Sequence, residues 1–508
     1  MTLNRRTFFK STAAVGAAAG LANVAGCSLA PGPPSSATFP HGVASGDPRS
    51  TSVIVWTRLA GGPLAAAVPL RWELSTGPGF EAIAASGVAT AGPDADWTVS
   101  AEVDGLEPAT TYYYRWVHDG GDSGAISPIG RTRTAPTGGV DHLRFAVVSC
   151  SNYAYGYFHN YRSVAERSDL DAVIHLGDYI YEYANEGSGE TYGTFRSLDP
   201  AHETITLGDY RRRYACYRSD PDLAEMHRQH PMIHIWDDHE FADDPYVGGA
   251  ANHQPALDGP WDQRVAAALQ AYGEWMPTRL DGNRIFRTLD YGDLVKLVMV
   301  DRQRRFLWPE TDDGDTYLGR EQFEWLDARL AESEAQWLVL VQQTTFGSTS
   351  ADQASGGWGK GQRDRVYSAL ETSTTDNLVV LTGDIHRAHA LDLPKVPGNY
   401  SPLTGEGSAG VEFACGSISS PGGDGVGGGP QVRWRNGSSR TYLVLDITQD
   451  RVQGDVFGHG DLSKFFPWRP GEQHLAAFSS ADGANHLVRQ FTAAPPKAAP
   501  APAPAPAP

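Results

Sequence analysis

The sequence predicts two structural units, an all-β N-terminal unit followed by a larger α/β unit, and three observations carry that expectation. Residues 39–140 alternate apolar and polar side chains with the period of two expected of half-buried strands, and show no helical spacing. From residue 141 to about 490, short apolar runs alternate with stretches of helical spacing, the pattern of buried strands joined by helices. Four of those apolar runs end in clusters of oxygen, sulfur or imidazole side chains. Ligands of α/β sheets bind beyond the strand ends.

Within the first unit, Thr51 to Arg58 and Pro69 to Glu73 read as strands. Val103-Asp104-Gly105-Leu106-Glu107-Pro108-Ala109-Thr110-Thr111-Tyr112-Tyr113-Tyr114-Arg115-Trp116 resembles the corner and following strand of a fibronectin type III sandwich. That resemblance implies a Leu plugging the core and a Tyr closing the corner by a hydrogen bond. Such a module is expected to pack against the unit beside it. In the second unit, Gln263 to Tyr272 and Gln322 to Leu330 have helical spacing, while Val295 to Val300 and Trp337 to Val341 read as strands. After Gly383 the chain returns to strands, at Gly410 to Ala414 and Thr441 to Val456, around a glycine-rich loop at residues 421–430.

The termini are of a different kind. Asn4-Arg5-Arg6-Thr7-Phe8-Phe9-Lys10 is a twin-arginine start, followed by an uncharged stretch too weakly apolar for a membrane span. Residues 1–30 therefore read as a signal peptide for the twin-arginine export machinery, which carries folded proteins to a periplasmic or extracellular location. Val24-Ala25-Gly26-Cys27 offers a lipid-anchoring box at Cys27, and Ser28-Leu29-Ala30 an ordinary peptidase site; the sequence leaves both open. Residues 31–38 read as a linker. Residues 491–508 close the chain in an Ala-Pro repeat with little to bury, expected to be disordered.

The 508 residues suffice for two well-buried cores. The formal charge of −19 argues against electrostatic binding of nucleic acid. Of the four cysteines, Cys27 lies in the leader and Cys150 ends a strand. Cys216 and Cys415 remain, and in an oxidising compartment they could pair.

The four strand-end clusters hold the chemistry. Residues 143–148 lead to Ser149-Cys150. Residues 171–176 lead to Gly177-Asp178-Tyr179-Ile180-Tyr181, residues 232–236 to Asp237-Asp238-His239-Glu240, and residues 378–382 to Gly383-Asp384-Ile385-His386. Hard carboxylate oxygens mixed with phenol, thiol and imidazole make a ligand set for two or more metal ions. An Asp carboxylate can bridge two cations, and Asp178 is the natural bridge. Tyr181 lies three residues on, where a tight turn returns its phenol to the same ion. The sequence does not separate the roles of Asp237 and Asp238. His175, His234 and His389 read as structural.

Gly-Asp-x-x-Tyr, then an Asp-His pair, then Gly-Asp-x-His resembles the metallophosphoesterase superfamily, and more closely its PhoD-type alkaline phosphatases. Gly208 to Tyr214, Tyr217 to Leu223, Trp236 to Glu240 and Leu318 to Gln322 running on to Trp325-Leu326 resemble the same family, as does the N-terminal module. The resemblance implies a metallophosphoesterase β-sandwich flanked by helices, and an exported phosphatase that cleaves phosphate monoesters through a metal-bound hydroxide, with activity on diesters left open. It implies Fe3+ held by Cys150, Asp178, Tyr181 and His386, and Ca2+ held by Asp238 (or Asp237) and Asp384. His239 is the candidate for contacting the phosphate or protonating the leaving group, and Arg302 or Arg304 for binding phosphate oxygens. The order Asp301-Arg302-Gln303-Arg304 departs from the family's usual Asp-Thr-Arg, which leaves the two arginines unresolved. Asp243 and Asp244 stand where the family often has asparagines, and Gly357 to Gly361 lacks the usual acid and tyrosine. Both departures touch the expected substrate rim. A phosphodiesterase or phospholipase D-like enzyme on the same scaffold is the alternative, and a cell-surface binding protein built on the β-sandwich a remote one.

Overall fold

The computed structural model describes residues 37–505, apart from residues 62–63, 65–66, 121–123, 186–195, 310–316, 348–356, 372, 374–375, 424–427 and 460–470. The leader, including Cys27, lies outside the described residues.

Three parallel strands form the centre of the α/β unit: His142–Val148, Ala172–His175 and Pro231–His234. Every residue of the second and third is buried, as parallel strands covered on both faces require. A second sheet runs Arg287–Tyr291, Val295–Met299, Trp337–Val341, Asn377–Thr382, Ser408–Cys415, Ala388–Pro394, Val432–Asn436, with the second to fifth strands in that order parallel. Side chains of both sheets meet in one core that includes Phe145, Val147, Ile174, Val339 and Phe413. The helices Trp261–Trp275 and Arg320–Ala331 cover the predicted helical stretches. Thr441 to Val456 resolves into two antiparallel strands, Arg440–Thr448 and Arg451–His459.

The N-terminal unit is a sandwich, and its corner is built as its sequence implies. Leu106 is buried, and the backbone N–H of Glu107 donates to Tyr112 Oη at 2.9 Å. The boundary at residue 140 is less of a division than expected, however. Val43–Gly46 pairs in parallel with Pro231–His234, Ser45 opposite Pro231 and Gly46 opposite Met232. Three sandwich strands, Val43–Gly46, Ser52–Arg58 and Thr98–Asp104, thereby extend the central sheet to ten strands. The sandwich is continuous with the α/β unit through backbone hydrogen bonds, where packing alone was expected. It also covers an edge that would otherwise be left unpaired.

One question that the sequence left open is closed, and one expectation needs correction. Cys415 is a buried free thiol beside Ser149 Oγ, at 3.3 Å, so it does not pair with Cys216. The Ala-Pro tail, expected to be disordered, is held in place as far as residue 505. Arg144 Nη1 donates to the Pro495 carbonyl at 2.6 Å, Tyr113 Oη to that of Ala501 at 2.6 Å and Arg228 Nη1 to that of Pro504 at 2.6 Å. Gln229 exchanges two bonds with the Ala503 backbone, and Lys497 pairs with Asp171. A proline-rich segment has few side chains to bury, but it is stiff and presents carbonyl acceptors that lose little entropy on docking. The donors come from both units, so the tail straps them together.

Removing residues 493–508 should therefore destabilise the protein by about 1–3 kcal/mol, taking each lost neutral hydrogen bond at about 1 kcal/mol less the regained chain entropy. Denaturant unfolding of the truncated and full chains checks this; an unchanged midpoint would contradict the docked tail.

Candidate metal centre

The side chains that the sequence placed at four separate strand ends come together. Cys150, Asp178 and His386 each present a ligand atom, all within 4.8 Å of one another; so do Asp237, Asp238 and Asp384, and so do Asp178, Asp238 and His239. Asp178 and Asp238 belong to overlapping groups and join the two ends of the cluster. Tyr181 Oη donates to Asp178 Oδ2 at 3.1 Å and lies 3.1 Å from His386 Nε2. His386 Nδ1 lies 3.0 Å from the Pro421 carbonyl, an arrangement that turns the Nε2 lone pair to the cluster.

The backbone is bent to achieve this. Cys150, Asp178, Asp384 and His386 all have φ between 53° and 59°, a left-handed conformation that side chains with a Cβ rarely adopt. Such residues cost about 1 kcal/mol or more each and concentrate where function requires the geometry. Gly177 has φ of 97°, and a Cβ there would fall 2.6 Å from that of Asp237, so glycine lets the second and third strand ends close on one another.

The electrostatics ask for cations. Asp178 Oδ1, Asp237 Oδ2 and Asp238 Oδ1 are buried without hydrogen-bond partners. Burial pushes the Cys150 thiol well above its usual range, and the Asp178 carboxylate adds to the shift. The Tyr181 phenol is raised by burial, then by Asp178 and Cys150. Burial also raises Asp178 and Asp237 strongly, with neighbouring aspartates adding to it; His239 relieves the first in part and Arg302 the second. Bare carboxylate oxygens and acids that burial disfavours as anions are what a metal site looks like before its ions are counted, because a bound cation reverses each penalty. The donor set fits a softer position at Cys150, Tyr181 and His386, and a carboxylate position at Asp237, Asp238 and Asp384, with Asp178 between them.

Two family models cover the chain. That of the PhoD-like phosphatases matches residues 145–456, and that of their N-terminal domain residues 26–136. The chain belongs to the PhoD-like phosphatase family. It is 38% identical over 396 residues to alkaline phosphatase D of Bacillus subtilis (strain 168), a match covering 71% of this chain and 66% of that protein. It superposes on a solved structure of PhoD with a TM-score of 0.77 and 32% identity, covering 91% of this chain and 93% of the other. The metallophosphoesterase fold with its β-rich N-terminal domain is thus the fold of this family, as the sequence implied.

The structure separates residues that the sequence could not. Arg302 faces the cluster, with Nη1 3.5 Å from Asp384 and Nε 3.6 Å from Asp237. Arg304 turns away to Glu321 at 2.9 Å and Asn283 at 3.2 Å, so of the two candidate arginines only Arg302 reaches the site. Both aspartates of the third strand end contribute an oxygen: Asp237 leans toward Arg302 and Gln303, while Asp238 accepts from the Asp244 N–H at 3.0 Å. His175 and His234 bond to Tyr161 and Tyr272, and His389 lies 3.6 Å from Glu412; all three are structural, as expected.

Sequence reasoning missed two carboxylates. Glu182 Oε2 lies 2.8 Å from His239 Nδ1, and its other oxygen accepts from the Asp243 N–H at 2.8 Å and the Asn252 amide at 2.6 Å. Burial works against a protonated His239, yet Asp238, Glu182 and Asp178 outweigh it and raise its affinity for a proton well above the usual. Glu240 accepts from the backbone N–H groups of Asp178 at 3.1 Å, Tyr179, and Asp237 at 2.7 Å, tying the second and third strand ends together. It lies within the quoted Asp-Asp-His-Glu motif, but its targets are backbone groups that carry no sequence signature.

Glu240→Gln keeps the size but turns an NH2 toward backbone N–H donors. It should destabilise the protein by about 2 kcal/mol or more, since hydrogen bonds to a charged group are worth about 1.5–3 kcal/mol each. It should also lower metal content. Unfolding curves and metal analysis check this; wild-type values for both would remove Glu240 from the frame.

Proposed function

We propose that this protein is a metal-dependent phosphatase that cleaves phosphate monoesters. The observation that carries the reading is the meeting of the two ligand groups with Arg302 on one side and His239 on the other. Cys150, Asp178, Tyr181 and His386 would hold ferric iron, for which phenolate and thiolate are suited ligands; Asp237, Asp238 and Asp384 would hold calcium, a cation of oxygen shells. When bound, the cations lower the pKa of the attacking water and neutralise phosphate oxygens.

The protein's own groups do the rest. Arg302 is positioned to bind phosphate oxygens through paired N–H donors. Glu182 fixes the His239 ring through Nδ1 and leaves Nε2 for the substrate, while the Tyr181 ring lies 4.1 Å away, centre to centre. His239 holds a proton there and gives it to the leaving oxygen. Export by the twin-arginine route is proposed from the Arg5-Arg6 leader, with Cys27 as the anchoring residue if the lipid box is used. Among the described residues, no helix is long and apolar enough to cross a membrane.

Purified protein should be coloured by charge transfer from Cys150 and Tyr181 to iron, and Cys150→Ala should lose the colour, the iron and most activity. A calcium chelator should abolish activity while the colour persists, and added calcium should restore it. A colourless, iron-free and fully active enzyme, or activity that survives exhaustive chelation, would contradict the two-cation reading. Faster turnover of diesters than of monoesters would favour the diesterase alternative.

His239→Ala should reduce kcat by ~10²- to 10⁴-fold with metals retained, the range for general acid assistance. The loss should be larger for an alkyl phosphate than for a nitrophenyl ester, which leaves without a proton. Metal loss in step with activity would make His239 a ligand, and equal losses on both esters would assign it to phosphate positioning.

A further inference from the structure

Arg218 ends the helix Leu207–Arg218 at the junction of the two units and is 1% exposed. Its guanidinium carbon lies 4.0 Å from the centre of the Trp56 ring. Among the described residues no backbone carbonyl and no carboxylate takes its N–H groups, and the Tyr179 hydroxyl is the side chain in hydrogen-bond contact with it. The next acid along the chain, Asp220, is already paired with Arg196 at 2.7 Å and caps the helix Pro221–Gln229. The other groups that feel the Arg218 charge are neutral: the hydroxyls of Tyr179 and Tyr114, and the imidazoles of His41, His227 and His234. Burial, reinforced by Arg218, holds His227 well below its usual range, and burial holds His41 and His234 to about 3. Tyr114 Oη and Ser45 Oγ are also buried, and among the described residues each meets only the other.

A buried charge is ordinarily paired, and buried donors are ordinarily bonded. Among the described residues Arg218 has no paired acid, and one hydroxyl meets its N–H groups. Trp56 compensates one face of the cation but takes none of its N–H groups. Ordered water would take the N–H groups but leave the charge in place. We propose that this centre binds a small monovalent anion of halide size, held by the Arg218 guanidinium with the Tyr114 hydroxyl as a further donor. A single cation sets the charge, and the full burial of Arg218, Tyr114, Tyr179 and His227 favours an atomic ion over a carboxylate or phosphate. Trp56 and Tyr114 come from the sandwich, whereas Arg218, Tyr179 and His227 come from the α/β unit, so the anion joins the two. Tyr179 follows the bridging Asp178, which places the anion behind the metal centre.

Crystals of the full-length protein prepared in bromide should show an anomalous peak within hydrogen-bonding distance of Arg218, or at long wavelength a retained chloride there. The thermal midpoint should rise saturably with chloride or bromide, and not with gluconate at equal ionic strength. Arg218→Met should abolish that halide dependence; should the variant fail to fold, the wild-type anomalous map and melting series still decide the matter. Water beside Arg218 with no halide peak, or identical melting in halide and gluconate, would overturn the proposal.

Discussion

The structure is organised around a concentration of buried negative charge. Asp178, Asp237, Asp238 and Asp384 share a small volume with the Cys150 thiol and the Tyr181 phenol, and all six are buried. Two carboxylates 4.8 Å apart repel by about 3–4 kcal/mol at an effective dielectric of about 20. Arg302 and His239 answer only part of this. Without further cations, the cluster is stable only if most of its acids keep their protons, as their upward shifts indicate. With cations the same residues become ligands, and the energy that opposed their convergence is returned as binding.

The rest of the fold holds the cluster in place. The parallel strands His142–Val148, Ala172–His175 and Pro231–His234 end side by side, so their following residues emerge at one edge, as do those of Asn377–Thr382 in the facing sheet. Left-handed turns at Cys150, Asp178, Asp384 and His386 aim those residues inward, and Glu240 ties two of the loops by their backbones. Behind them the sandwich extends the same sheet through the pairing of Val43–Gly46 with Pro231–His234, and the tail spans both units. A displacement of the sandwich would pass along the strand that carries Asp237 and Asp238. Its continuity with the sheet therefore bears on the site as well as on stability.

Much of this was legible in the sequence, because strand ends and ligand chemistry are local. The four apolar runs became four strands, and the ten candidate residues, with the exception of Arg304, meet in one place. What was hidden depends on non-local geometry. Arg302 and Arg304 are two residues apart, and only the path of the chain after Asp301 decides which one faces Asp384. Glu182 and Glu240 are ordinary acids in sequence; their roles come from the His239 ring and the backbone N–H groups they meet. The tail misled because its composition has little to bury, while its docking uses carbonyls that composition does not report. The shared sheet was missed for a similar reason, since backbone pairing between Ser45 and Pro231 leaves no side-chain pattern.

The most direct test of the central claim is diffraction at and below the iron absorption edge, using crystals of the protein purified from a host that exports it. The account predicts an iron peak within bonding distance of Cys150 Sγ, Asp178, Tyr181 Oη and His386 Nε2, and a lighter ion among Asp237, Asp238 and Asp384 on the other side of Asp178. A map with no ion at either position, or with iron bound elsewhere while Cys150 and Tyr181 remain protonated and unligated, would contradict it.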